Sequence, residues 1–335
     1  MATMKDIAKK AQVSIATVSN VINGNYSHVS PESVAKIQSI IQELNYVPNM
    51  SARSLVKNSS KIIGVVNYLA SRSGKFLQDP FHAVLVDSIE KSLTKKGYYM
   101  MVNSVDCEED LLTLLRCWGM DGFIITGSVD NESFEGLQSA KKPFVLVDSY
   151  VKTENVMSVG LEDYHGGYLA TKHLIDRGHR NIAFASPKPI PGGVINERFR
   201  GYKDALDEAG ISLDTHNIYY QDPTVTEGTK LGHKLSKRRD VTAVVTTADL
   251  LAAGIISGLR DRNIKVPDDV SVIGFDDLEI CLLTSPRLTT IHQDPQVKGH
   301  LVAEMIIRSL EGKPLINSNI VLPVNLVERE SVRSL

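Results

Sequence analysis

The stretch Val13-Ser14-Ile15-Ala16-Thr17-Val18-Ser19-Asn20-Val21-Ile22-Asn23 reads as a short helix with an apolar back and a small, polar front. Val18, Val21 and Ile22 recur at i, i+3 and i+4 and form one stripe for burial. Ala16, Thr17, Ser19, Asn20 and Asn23 fall on other faces. Short side chains and two amides, in place of the Lys and Glu of a solvated helix, suit close approach to base edges.

The flanking residues build a helical head around this stretch. Thr3 and Asp6 have capping-box spacing, and a first helix runs through Ile7, Ala8 and Ala11. Gln12-Val13-Ser14 is a tight turn, with Ser14 placed to N-cap the second helix. Helix, three-residue turn, helix is the spacing of a helix-turn-helix. Gly24 stops the second helix. Ser30 and Pro31 start a third, as N-cap and first residue. Its Val34, Ile37, Ile40, Ile41 and Leu44 close a small three-helix core. Pro48 and Asn49 then break the chain. Met50 to Lys57 is a possible two-turn helix, too short to hold in water unless packed against something.

From Lys61 the pattern changes to short, fully apolar runs alternating with helical segments. Strands are expected at Ile62–Val66, Tyr99–Val102, Gly122–Ile125, Phe144–Val147, Asn181–Ala185, Ala243–Thr246 and Ser271–Gly274. Helices are expected at Val84–Leu93, Tyr164–Arg177, Arg198–Ala209, Leu250–Asp261 and Lys298–Leu310. Repeated βα units with apolar strands predict doubly wound parallel sheets. The run is long enough for two such lobes, whose crevice is the default ligand site.

Composition is that of a globular chain: 335 residues, 42% hydrophobic, 23% charged, net charge −2. The first 60 residues carry six basic and three acidic side chains, leaving 31 and 36 for the remainder. A basic head on an acidic body points to a polyanion partner for the head. The three cysteines are scattered and odd in number, which fits a reducing compartment and no metal site. With no apolar leader or spanning run, the expected location is cytoplasmic, away from membranes. The chain has no Gly-x-Ser-x-Gly elbow and no His-Glu-x-x-His, so neither catalysis nor a cofactor is expected.

Several motifs, taken together and in order, resemble the LacI/GalR family of bacterial transcription regulators. In the head they are Lys5-Asp6-Ile7-Ala8, Val13-Ser14-x-x-Thr17-Val18-Ser19, Asn23-Gly24, Leu44-x-Tyr46-x-Pro48-Asn49 and Ala52-Arg53-Ser54-Leu55. In the body they are Ile63-Gly64-Val65, Asp121-Gly122-x-Ile124, Gly178-His179-x-x-Ile182, Arg198-x-x-Gly201-Tyr202, Gly274-Phe275-Asp276-Asp277 and Leu288-Thr289-Thr290-Ile291. The resemblance implies a small all-α helix-turn-helix head at 1–47 and a hinge helix and linker at 48–60. It implies a periplasmic-binding-protein-like α/β core of two doubly wound parallel-sheet lobes. One lobe takes 61–160 plus 291–320, the other 161–290 plus 321–335. It further implies a homodimeric repressor on a pseudo-palindromic operator, switched by a sugar-like effector between the lobes. The chain's end at Leu335, with no heptad tail, leads us to expect no tetramer helix.

The same resemblance distributes the site. Ile15, Ala16 and Asn20 are the expected base readers. Asn20 suits adenine, where an arginine would suit guanine, and its alternative is a phosphate contact. Thr17 and Ser19 face the same groove and favour phosphate, with Ser14, His28 and Ser30 as further phosphate contacts; for His28 a solvated loop residue is the alternative. Leu55 is the minor-groove wedge or a packing leucine, flanked by Ser51 and Ala52, with Asn49, Arg53 and Lys57 on the backbone. In the body the implied effector contacts are Arg198 and Asp276, with Phe81 as a sugar-stacking ring or a core residue, and Asp148 at a strand end. Ala248 stands where relatives commonly carry a ligand-binding Asn. A solute-binding protein would share the body but needs export, and a sugar-processing enzyme would need acid/base groups that are not found.

Overall fold

The structure, a computed structural model, describes residues 2–47, 59–68, 76–127, 129, 131–151, 156–315 and 317–335. The hinge positions Asn49, Ser51, Ala52, Arg53, Leu55 and Lys57 lie outside the described residues. The chain divides into two compact units, residues 1–60 and 61–335.

In the first unit, α1 (Met4–Ala11), α2 (Ile15–Ile22) and α3 (Pro31–Glu43) each begin on a side-chain cap. The Asp6 N–H donates to the Thr3 hydroxyl, and the Thr3 N–H returns a bond to the Asp6 carboxylate at 2.9 Å. The Thr17 N–H donates to Ser14 Oγ at 3.1 Å, and the Ser33 N–H to Ser30 Oγ at 3.3 Å. Gln12 and Gly24 take left-handed backbone at the two turns, with φ of 59° and 76°. Ile7, Ala8 and Ala11 meet Val18 and Val21 of α2 and Ile37 and Ile40 of α3 in one small core.

The second unit carries twelve described strands in two sheets. In chain order they are β1 (Ile62–Tyr68), β2 (Tyr99–Val105), β3 (Gly122–Thr126), β4 (Phe144–Val147), β5 (Ser158–Leu161), β6 (Ile182–Ser186), β7 (Ile218–Tyr220), β8 (Ala243–Thr246), β9 (Ser271–Asp276), β10 (Thr289–His292), β11 (Asn319–Leu322) and β12 (Asn325–Val327). The first sheet runs β11-β5-β4-β3-β1-β2 and the second β12-β10-β9-β8-β6-β7. Every pairing is parallel except β10 with β12, an antiparallel edge. Helices cover both faces of each sheet, which explains why the central strands β3, β6, β8 and β9 are buried along their whole length.

The chain passes between the sheets at 162, at 293–294 and at 323–324. These points fall a few residues beyond the expected 160, 290 and 320, because β10 stays in register with β9 through His292 and β11 with β5 through Leu322. After the second passage the helix Pro295–Leu310 lies against Pro80–Thr94 and completes the core beneath the first sheet with Val302, Ala303 and Ile306.

Glycines hold two helix pairs close, Val225–Leu235 against Asp249–Arg260 and a second pair beside the cleft. Asp163–Asp176 and Val194–Glu208 touch through Gly167 and Gly201, and a Cβ on either would sit 2.0 Å from a backbone carbonyl of the other helix. Backbone cannot yield there as a side-chain tip could, so the residue must stay glycine. Gly201→Ala is expected to lower unfolding stability by about 1–3 kcal/mol, read as a lower urea midpoint. An unchanged midpoint would show that the helices separate freely.

Candidate functional sites

The outer surface of α2 is the first candidate. Ile15 is 48% exposed and lies outside the head core. Ala16 is exposed, and Thr17, Ser19 and Asn20 are half-buried around the same turns. The Thr17 and Ser14 hydroxyls pair with each other at 2.9 Å, and Ser19 Oγ is approached by the Asn23 amide at 3.3 Å. The Asn20 side chain makes no hydrogen bond among the described residues, so its donor and acceptor stay available. His28 ends the turn Tyr26–His28 and is exposed, as is Ser30, whose hydroxyl caps α3. Lys5, Lys9 and Lys36 are exposed, while Lys10 is paired with Glu43.

The second candidate lies where the carboxyl ends of both sheets converge, the region in which parallel sheets bind ligands. Asp148 follows β4, Asp163 follows β5, Asp276 ends β9, Thr247 follows β8 and Gln293 follows β10. Asp148 and Asp276 have φ of 55° and 115°, backbone that L residues adopt rarely and that clusters at working sites.

Two hydrogen-bonded chains run through this region. In one, Arg198 Nε donates to Asp163 Oδ1 at 2.7 Å and Nη1 to the Thr247 carbonyl at 2.7 Å. The guanidinium lies 3.5 Å over the Phe275 ring, and the Tyr150 hydroxyl sits on the other Asp163 oxygen. In the other, Lys298 Nζ donates to both oxygens of Asp148 at 2.7 and 2.8 Å and to Gln293 Oε1 at 3.0 Å. The Gln293 amide passes the chain on to Asp276 Oδ1 at 2.5 Å. Arg198, Asp163, Asp276 and Lys298 are all buried, and Lys298 is 0% exposed.

Burial governs the charges. It raises the Asp276 pKa well above the ordinary carboxylate value, against the pull of Arg198. It raises Asp163 too, again against Arg198. Burial works against the Arg198 charge, but Asp163 and Asp276 outweigh it and lift the guanidinium above its usual value. Buried pairs of this kind are costly to break, since removing one partner strands the other charge.

Arg198, Asp276 and Asp148 are thus brought together, as the sequence reading expects. Phe81 stands beside them, 8% exposed, with Lys298 Nζ 5.3 Å from its ring centroid, so the ammonium and the core take the faces a sugar would need. Asp163, Lys298, Gln293, Tyr150 and Thr247 were not anticipated. A signal existed for Lys298: it shares a buried stripe with Val302 and Ile306, at i, i+4 and i+8. Ala248 caps the helix Asp249–Arg260 with no side-chain bond. His179 is a packing residue, bonded to Thr242 Oγ1 and the Arg333 carbonyl.

Among the described residues no cluster of His, Cys, Asp and Glu is placed to hold a metal, and no helix is long and apolar enough to cross a membrane.

Residues 3–49 match the family model of bacterial regulatory proteins of the lacI family, and residues 171–332 match that of the periplasmic binding protein-like domain. The HTH-type transcriptional repressor PurR of Photorhabdus laumondii is 34% identical over 340 residues, covering 99% of this chain and 97% of that protein. The lac repressor dimer bound to operator and the anti-inducer ONPF has a TM-score of 0.86 at 26% identity, with 99% of each chain covered. The transcriptional regulator CelR in complex with cellobiose has a TM-score of 0.73 at 29% identity, over 99% of this chain and 100% of that one.

Asp249 offers a test of the electrostatics. It is buried, accepts the Leu278 N–H at 2.8 Å and the Thr290 hydroxyl at 2.6 Å, and burial pushes its pKa up to about 6 from 3.8. The folded chain therefore keeps a proton that the unfolded chain releases, so this stabilisation is full below about pH 4 and is lost as pH rises through about 6. Urea unfolding should show wild type losing about 3 kcal/mol relative to Asp249→Asn across that window, at 1.36 kcal/mol per pKa unit. A difference independent of pH would mean the carboxyl titrates normally.

Proposed function

Because the chain belongs to the lacI family of bacterial regulatory proteins, we propose that it is an effector-controlled transcriptional repressor. As a homodimer it binds a pseudo-palindromic operator, and a sugar-like small molecule held between the two sheets of each body switches it. The observation that carries the effector reading is the meeting of Arg198, Asp163, Asp276 and Asp148 at the carboxyl ends of both sheets. Such polar groups suit a compact ligand rich in hydroxyls. The relatives support the same reading, one solved on its operator with an anti-inducer and another with cellobiose.

In this reading residues 1–47 are the DNA-binding head, 48–60 the hinge and linker, and the body splits into the two lobes set out above. Ile15, Ala16 and Asn20 read bases in the major groove. Thr17, Ser19, Ser14, His28 and Ser30 hold phosphate, with Asn49, Arg53 and Lys57 of the hinge. Leu55, beside Ser51 and Ala52, wedges the minor groove open. The protein works in the cytoplasm and catalyses nothing. An effector that prefers one arrangement of the lobes shifts the population of DNA-competent dimers by its difference in affinity.

Gel shifts on a selected operator test the head. Deleting residues 1–60 should abolish operator binding, and its survival would sink the repressor reading. Operator selection with Asn20→Arg should return a changed base preference, shifted toward guanine; an unaltered operator would remove Asn20 from the readers. Leu55→Ala should weaken operator binding far more than binding to random DNA, and equal losses on both would sink the wedge.

A further inference from the structure

Lys298 is a lysine with no exposure, set on the apolar stripe of its helix, and the effector reading alone does not explain it. Its ammonium spends its three protons inside the protein, two on Asp148 and one on Gln293. The Arg198 charge is likewise matched by Asp163, although only Nε and Nη1 are bonded and Nη2 donates to no described residue. Among the described residues these are the two cations of the cluster, set against three carboxylates, Asp148, Asp163 and Asp276. A phosphate or carboxylate arriving here would find both cations already balanced by an acid partner, so its own charge would go uncompensated unless one of those pairs were broken. Hydroxyl donors meet no such obstacle, since the carboxylate oxygens have lone pairs left to accept them.

We infer that the effector of this chain is an uncharged polyhydroxyl compound, and that the Asp148–Lys298 pair excludes phosphorylated and carboxylated analogues. The inference rests on the proposal that this cluster is the effector site. Lys298 acts as a specificity-determining residue whose charge is neutralised from within, so that no ligand charge is needed to balance it. Replacing Asp148 by Asn leaves the ammonium with neutral partners only, and the same place becomes a receptor for anions.

The probe is inorganic phosphate, with thermal unfolding of the full-length chain measured against chloride at equal ionic strength. Wild type should show no saturable rise in melting temperature. Asp148→Asn should gain one, and the double variant Asp148→Asn/Lys298→Met should lose it again. Stabilisation of wild type by phosphate that disappears in Lys298→Met would overturn the inference, as would an Asp148→Asn chain indifferent to phosphate. Should Asp148→Asn fail to fold, wild type decides through matched pairs, glucose with glucose 6-phosphate and ribose with ribose 5-phosphate, scored by release from the operator. Release by a free sugar at a concentration at least 100-fold below its phosphate ester supports the inference. Release by the ester in preference overturns it while leaving the repressor reading intact. Loss of that reading would show separately, as a wild-type chain that binds no operator.

Discussion

The bond between Arg198 and Asp163 ties the body together at its most constrained point. Asp163 is the second residue after the chain leaves the first sheet, and Arg198 lies one turn into a helix of the second lobe. The two can meet at 2.7 Å only because their helices close on Gly167 and Gly201, with no Cβ between them. The guanidinium then reaches on to the strand end at Thr247 and sits over the Phe275 ring. Fork geometry matters here, since a lysine could not satisfy a carboxylate, a carbonyl and a ring face at once. The position of every other polar group in the cleft is measured from this fixed cation.

The neighbouring chain from Asp148 through Lys298 and Gln293 to Asp276 is the tie that runs from one sheet to the other. Gln293 sits in the crossing segment itself, between β10 and the helix Pro295–Leu310, so it belongs to neither lobe and touches groups of both. Both ties consist of charges taken out of water, so neither survives the loss of one partner cheaply. A ligand entering this region must therefore work around two charge pairs already matched within the protein, beside a buried Thr247 hydroxyl that has no partner among the described residues.

The parts of this architecture governed by neighbours in sequence were legible beforehand. Thr3 with Asp6, Ser14, and Ser30 with Pro31 announce three helix starts because a cap acts within three residues. The apolar strands β1, β3, β4, β6, β8 and β9 were visible because burial on both faces leaves an unbroken hydrophobic run. The short strands β5, β11 and β12 carry too few such residues to stand out, and β11 and β12 alternate or mix exposure along edges. The helix bearing Arg198 begins at Val194, four residues ahead of the sequence estimate, because Gly193 rather than a polar side chain starts it. Arg198 and Asp276 could be picked out from the motifs around them. Asp163, Lys298 and Gln293 could not, because their partners lie 35 residues away at Arg198, 150 at Asp148 and 17 at Asp276.

The second passage between the sheets also bears on biosynthesis. The first sheet receives β11, and its underside receives the helix Pro295–Leu310, only from the last stretch of the polypeptide. A ribosome that has delivered the head and the first five strands has released a three-helix unit able to close on itself and a half-lobe that is not. Val65, Leu85 and Ile89 wait for Val302 and Ile306 to cover them, across more than 200 residues of intervening chain. A message cut short between the end of β5 and Pro295 thus yields a product with an uncovered greasy face, which invites chaperones and proteases. Fragments that carry the head and only part of the body are thereby marked for removal by their own hydrophobic surface.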